Sequence, residues 1–131
     1  MRTVLCHGCF DILHIGHVQH LQQAHAFGDR LVVSITASRH ITKEGRPVFS
    51  DFDRAVVLRA LRVVAGVYIC DEPTGVTAIR EFRPAFYVKG IDYAERGVNE
   101  AERQACDEVG AQIVYTNTKK YSSSDLVRYF K

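Results

Sequence analysis

Thr3-Val4-Leu5-Cys6-His7-Gly8-Cys9-Phe10-Asp11-Ile12-Leu13-His14-Ile15-Gly16-His17 runs from an apolar stretch, through a glycine-marked loop, into a helical pattern. Residues 3–6 are short and mostly β-branched or aliphatic, and they read as a strand buried on both faces. Val18, Leu21 and His25 then share one helical face, with Gly28 as the expected stop. A strand followed at once by a helix is the unit of a parallel α/β sheet.

The same unit recurs. Leu31–Ile35, Gly66–Ile69, Ala85–Val88 and Ala111–Tyr115 are further strand-like runs. Val57, Ala60, Leu61 and Val64 make a helical face, capped by Ser50 or Asp51. A short helix is expected over 75–82 and a longer one over 99–109, the latter stopped by Gly110, with a closing helix over Ser122 to Phe130. Parallel strands joined by right-handed crossovers give one doubly wound, five-stranded sheet with helices on both faces. Ligands of such sheets sit beyond the carboxyl ends of the strands. Functional residues should therefore lie around 7–17, 36–50, 70–75, 89–97 and 116–124.

A chain of 131 residues fits one domain, 1–131, with no repeat or linker. Hydrophobic residues at 47% and charged residues at 24% exclude a disordered chain. A net charge of +2 argues against a protein that coats nucleic acid or an anionic membrane. No apolar run is long enough to cross a bilayer, and the N-terminus has no signal-peptide core. Cys6, Cys9, Cys70 and Cys106 read as free thiols in a reducing cytoplasm.

The loop at 8–17 suits a triphosphate. A helix N-terminus presents unpaired N–H groups and partial positive charge. Gly16 allows close approach of a ligand, and His14 and His17 can both donate hydrogen bonds to phosphate oxygens. Cys6-x-x-Cys9 with His14 and His17 also invites zinc. A finger needs about 12 residues between its Cys and His pairs, whereas four separate Cys9 from His14. The redox form of Cys-x-x-Cys opens a helix, which this one does not.

Gly-Cys-Phe-Asp-x-x-His-x-Gly-His, directly after the first strand, resembles the nucleotidyltransferase superfamily of the His-x-Gly-His type. The literal motif is also similar to class I aminoacyl-tRNA synthetases, which are far longer. Ser122-Ser123-Ser124-Asp125-Leu126 resembles the serine/threonine block that opens the last helix of the cytidylyltransferase-like group. Val88-Lys89-Gly90-Ile91-Asp92-Tyr93 resembles a block in the adenylyltransferase part of ADP-heptose synthase. Glycerol-3-phosphate cytidylyltransferases carry a related Met-Gly-Asp-Asp there. His7 stands where relatives often carry Asn, Gly or Thr, and either touches phosphate or fills the loop. Ala65-Gly66 replaces an acidic pair.

The resemblance implies transfer of a nucleoside monophosphate from ATP, or in the alternative CTP, to a small phosphorylated substrate. A heptose 1-phosphate is favoured over glycerol 3-phosphate, and a separate kinase would supply it. Catalysis would fall to His14, His17 and Lys43. Gly8, Cys9, Phe10, Gly16, Lys89, Gly90, Asp92, Ser122, Ser123 and Ser124 would bind the nucleotide, with Mg²⁺ carried on the triphosphate. Asp11, Arg46, Arg54 and Arg62 would face the acceptor. Asp11 equally orients the loop, and the arginines and Lys43 equally read as solvated charges. The resemblance also implies a homodimer, with no nucleic-acid or membrane partner. His20, His25 and His40 are read as ordinary. A non-catalytic nucleotide-binding domain is the alternative of a different class.

Overall fold

A computed structural model describes residues 1–118. Five strands, β1 (Thr3–Gly8), β2 (Arg30–Thr36), β3 (Val64–Cys70), β4 (Phe86–Gly90) and β5 (Gln112–Thr116), form one sheet in the order β3-β2-β1-β4-β5. Every pairing is parallel. The helices are α1 (Ile15–His25), α2 (Asp51–Arg59), α3 (Val76–Phe82), α4 (Asp92–Arg96) and α5 (Glu100–Val109).

Alternation along β1 builds two cores. Val4 and Cys6 join Leu21 and Ala24 of α1 and Ala55 and Leu58 of α2 on one face. Leu5 joins Ala78 and Ile79 of α3 and Ala105 and Cys106 of α5 on the other. The sheet is thus covered on both sides, as the doubly wound reading expects. Fully buried leucines and isoleucines such as Leu5, Leu21 and Ile35 each contribute roughly 1.5–3 kcal/mol of transfer free energy. On the α3/α5 face, Glu102 is buried but paired. Its carboxylate accepts Tyr87 Oη–H at 2.8 Å and the Gly75 N–H at 3.0 Å.

The strand order reverses at β1, whose neighbours β2 and β4 lead away in opposite directions. A crevice opens beside their carboxyl ends, where the ligand is expected.

Several expectations need correction. α2 stops at Arg59, and Val64 begins β3 rather than extending the helical face. The edge strands β3 and β5 are only partly buried, because neither has a neighbour on its outer side. α1 closes at Ala26 in right-handed conformation. Gly28 comes later and is needed for close packing, since a Cβ there would meet Arg2 O at 2.8 Å. The five-residue α4, directly after β4, was not anticipated. The expected helix from Ser122 lies outside the described residues.

Candidate active site

β1 delivers the chain to Gly8, and α1 begins at Ile15. Between them Phe10 takes a left-handed φ of 51° and lays its ring over Gly8. A Cβ on Gly8 would stand 3.0 Å from Phe10 Cε2, so a larger residue there would have to push the ring aside. The Phe10 ring meets His17 edge-on at 5.2 Å between centroids and backs that imidazole from behind.

His14 is the N-cap of α1. Its Nδ1 accepts the Gly16 N–H at 3.1 Å, and His17 Nδ1 accepts the His14 N–H at 3.2 Å. The two imidazoles thereby form a reciprocal capping box in place of the usual Ser and Glu. A nitrogen that accepts an N–H carries no proton of its own. Each neutral ring is therefore the Nε2–H tautomer, and each Nε2–H is a donor. The rings stack at 3.8 Å with a 23° tilt. Burial pushes the His17 pKa down to about 4, helped by His14 and His20, and burial lowers His14 as well. At neutral pH the pair is a set of uncharged donors at the positive end of a helix.

These side chains line one wall of a cleft of about 270 Å³ at the switch point. The opposite wall comes from β4 and α4. Lys89 is 9% exposed at the carboxyl end of β4. Its Nζ lies 4.4 Å from the Tyr93 ring centroid and 5.6 Å from that of Tyr87, so two aromatic faces hold the ammonium. Gly90 and Asp92 continue this wall, and Asp92 accepts Arg96 Nη1 at 3.2 Å. The floor includes His7, whose Nδ1 hydrogen-bonds Ser34 Oγ at 2.8 Å and whose Nε2 bonds Thr36 Oγ1 at 3.2 Å. Burial pushes the His7 pKa down to about 4 against the pull of Glu102.

The remaining sequence candidates divide. Asp11 is 8% exposed and spends its carboxylate on the neighbouring loop. It accepts Val48 N–H at 2.7 Å and Phe49 N–H at 3.1 Å, and pairs with Arg46 at 3.4 Å. Arg46 also donates to the Asp11 carbonyl. Arg54 is buried beneath the loops, donating to Cys9 O at 2.9 Å, Phe49 O at 3.1 Å and Ser38 Oγ at 3.3 Å. It holds the loop between β1 and α1 from below and does not line the cleft. Lys43 is exposed in the turn before Arg46. Arg62 sits in the turn before β3, at the amino end of the sheet and away from the cleft. Ser122, Ser123 and Ser124 lie outside the described residues. Among the described residues, no three His, Cys, Asp or Glu side chains gather to hold a metal ion.

The cytidylyltransferase-like family matches residues 5–129. The chain belongs to that family. The bifunctional protein HldE of Koribacter versatilis is 46% identical over 104 residues, covering 77% of this chain and 21% of that protein. HldE of Geobacter sulfurreducens is 39% identical over 115 residues, covering 86% of this chain and 23% of that protein. This cytidylyltransferase-like chain therefore spans about a fifth of the length of those curated relatives. The crystal structure of a lipopolysaccharide core biosynthesis protein from Thermoplasma volcanium superposes with a TM-score of 0.73 at 28% identity. That match covers 93% of this chain and 99% of the other. Fold and family are those of nucleotidyltransferases.

Sequence reasoning missed His20 in this cytidylyltransferase-like site. It lines the cleft one turn beyond His17, and its Nδ1 hydrogen-bonds Thr116 Oγ1 at 2.6 Å. The signal was present in the spacing. His14, His17 and His20 recur every three residues, which keeps them near one helical face.

Proposed function

We propose that this chain transfers a nucleoside monophosphate from a Mg²⁺–NTP, ATP before CTP, to a sugar 1-phosphate such as a heptose 1-phosphate, releasing pyrophosphate. The observation that carries the reading is the His14–His17 capping box at the switch point. With Nδ1 of each ring engaged on a backbone N–H, both imidazoles line the cleft at the start of α1 as uncharged N–H donors, which suits a triphosphate. The preference for ATP and a sugar phosphate rests on the resemblance of Val88–Tyr93 to the ADP-heptose synthase block and on the HldE relatives.

A phosphate oxygen of the acceptor attacks the α-phosphorus in line. One P–O bond forms as the α–β bridging P–O bond breaks, and pyrophosphate leaves with that bond's electron pair. The acceptor phosphate is already ionised at neutral pH, so no general base is needed. Catalysis is positioning plus stabilisation of developing charge. His14 and His17 donate to the α-phosphate and bridging oxygen. The amides of Cys9 and Phe10, with Gly8 and Gly16 close by, receive the triphosphate. Lys43 and Arg46 neutralise the incoming phosphate, with Arg46 held by Asp11. Lys89, Gly90 and Asp92 take the far end of the nucleotide. Ser122, Ser123 and Ser124 hold the leaving phosphates on the strength of the resemblance. Mg²⁺ enters as part of the substrate.

The reading includes a cytoplasmic homodimer. Its support is the apolar face around α2, where Phe49, Phe52, Val56 and Val57 are all exposed. Sedimentation of the protein and of Phe52→Glu tests this, and a monomer in both excludes the dimer.

The activity test is pyrophosphate release from ATP, CTP, GTP or UTP against heptose 1-phosphate and glycerol 3-phosphate. Release with ATP and the sugar phosphate supports the reading, and release with CTP and glycerol 3-phosphate replaces it. Nucleotide binding without release across a wide panel would favour a binding domain.

A further inference from the structure

We infer that His20, held by Thr116, is a contact for the ribose of the bound nucleotide and helps separate ribonucleotides from deoxynucleotides. The inference rests on the nucleotide reading above.

The argument starts from position. His20 follows His17 by three residues, which places it about 4.5 Å further along the helix axis. The ribose is the first group of a nucleotide beyond the α-phosphate. A side chain one turn past the histidine that meets the α-phosphate is therefore at ribose distance, on the same wall of the same cleft.

The second observation is how His20 is held. Its Nδ1 is engaged by Thr116 Oγ1 at 2.6 Å, and Thr116 is almost fully buried at the carboxyl end of β5. The ring cannot swing away from the cleft without leaving that buried hydroxyl unpaired. Gln23, three residues on, fastens the same two elements. Asn117 N–H donates to Gln23 Oε1 at 2.9 Å, and Gln23 Nε2 donates to Asn117 O at 3.4 Å. With Nδ1 committed, Nε2 is the nitrogen left for a ligand.

The charges nearby fit a neutral, hydroxyl-bearing group. Lys89 and Asp92 act on His20 from the opposite wall in opposite senses, and burial keeps the ring uncharged at neutral pH. An uncharged imidazole beside an ammonium already held by two aromatic rings suits a sugar hydroxyl better than another phosphate.

The test measures affinity of the wild-type protein, His20→Ala and Thr116→Val for ATP, 2′-deoxy-ATP, 3′-deoxy-ATP and tripolyphosphate by calorimetry. His20→Ala should weaken ATP about tenfold, the effect of one hydrogen bond. It should leave tripolyphosphate unchanged and shrink the preference for ATP over at least one deoxynucleotide. Thr116→Val should act in the same direction more weakly. Unchanged tripolyphosphate binding also certifies that the variants are folded. Equal losses for ATP and tripolyphosphate, or an unchanged preference for ATP over both deoxynucleotides, overturn the assignment. A wild-type protein that binds neither ATP nor tripolyphosphate overturns the nucleotidyltransferase reading, and this inference with it.

Discussion

His14 and His17 cap each other across the first turn of α1, each through Nδ1 and each on a backbone N–H, at 3.1 and 3.2 Å. One pair of contacts thus sets helix start, tautomer and donor direction together. Loss of either ring removes a structural cap and a chemical donor at once, and the two losses can be separated.

His17→Ala should lower kcat by about 10²–10³, the usual cost of one charge-stabilising donor. It should also cost roughly 0.5–2 kcal/mol of stability through the lost cap. His17→Gln should restore stability, because glutamine at this position makes the same backward reach. It should leave kcat low. Thermal melts with single-turnover kinetics on both variants decide the point, and recovery of turnover in His17→Gln would refute the donor role.

Stability should rise with pH between about 4 and 6.5. His7, His17 and His20 each have a folded pKa pushed down to about 4 from an ordinary 6.5, first by burial. The unfolded chain therefore takes up protons that the folded chain refuses in that window. The stabilisation is complete above pH 6.5 and drains away as pH falls towards 4. Activity should fall on the same limb, since a second proton on His17 must displace the His14 N–H. Melting temperatures flat across this range would contradict the burial of these rings.

Arg54→Met should destabilise the fold by about 2–3 kcal/mol, since three acceptors lose a charged donor. Arg54→Lys should recover little, because one ammonium cannot reproduce the guanidinium fork. Urea unfolding of the two variants measures this directly. Nucleotide affinity should fall with stability, as Cys9 O is one of the three acceptors.

Asp11→Ala should free the segment between the 3₁₀ turn Ser38–His40 and α2. Val48 and Phe49 lose their acceptor and Arg46 its ion pair. Limited trypsin digestion should cut after Lys43 faster than in the parent. Equal rates would show that the segment is held some other way.

The two-faced sheet was legible because alternation in Val4, Leu5 and Cys6 and the short β-branched runs leave little choice of element. The junction between the loop after β1 and the start of α1 was legible from His14, Gly16 and His17. The boundary between α2 and β3 was not, because Val57, Ala60, Leu61 and Val64 fit a helical period across a turn that tertiary packing imposes. Arg54 read as an acceptor-binding or solvated charge, because its three hydrogen-bond partners, Phe49 O, Cys9 O and Ser38 Oγ, come from separate stretches of chain. Arg62 shares its residue type but lies at the other end of the sheet. The three-residue spacing put His20 near the wall of His14 and His17, but its partner, Thr116, is 96 residues away. No local pattern can report such a contact.

That separation has a consequence for assembly. The wall carrying His14, His17 and His20 is made near the start of the chain, yet its anchors, Thr116 and Asn117, arrive with the last described strand. Closing so long a loop is slow and comes after the local contacts of β1 and α1. During synthesis the cleft therefore matures late. A nascent chain halted before residue 112 would hold the signature histidines without the tether that steadies them. Under the proposed function, nucleotide affinity is in this sense a readout of completed folding.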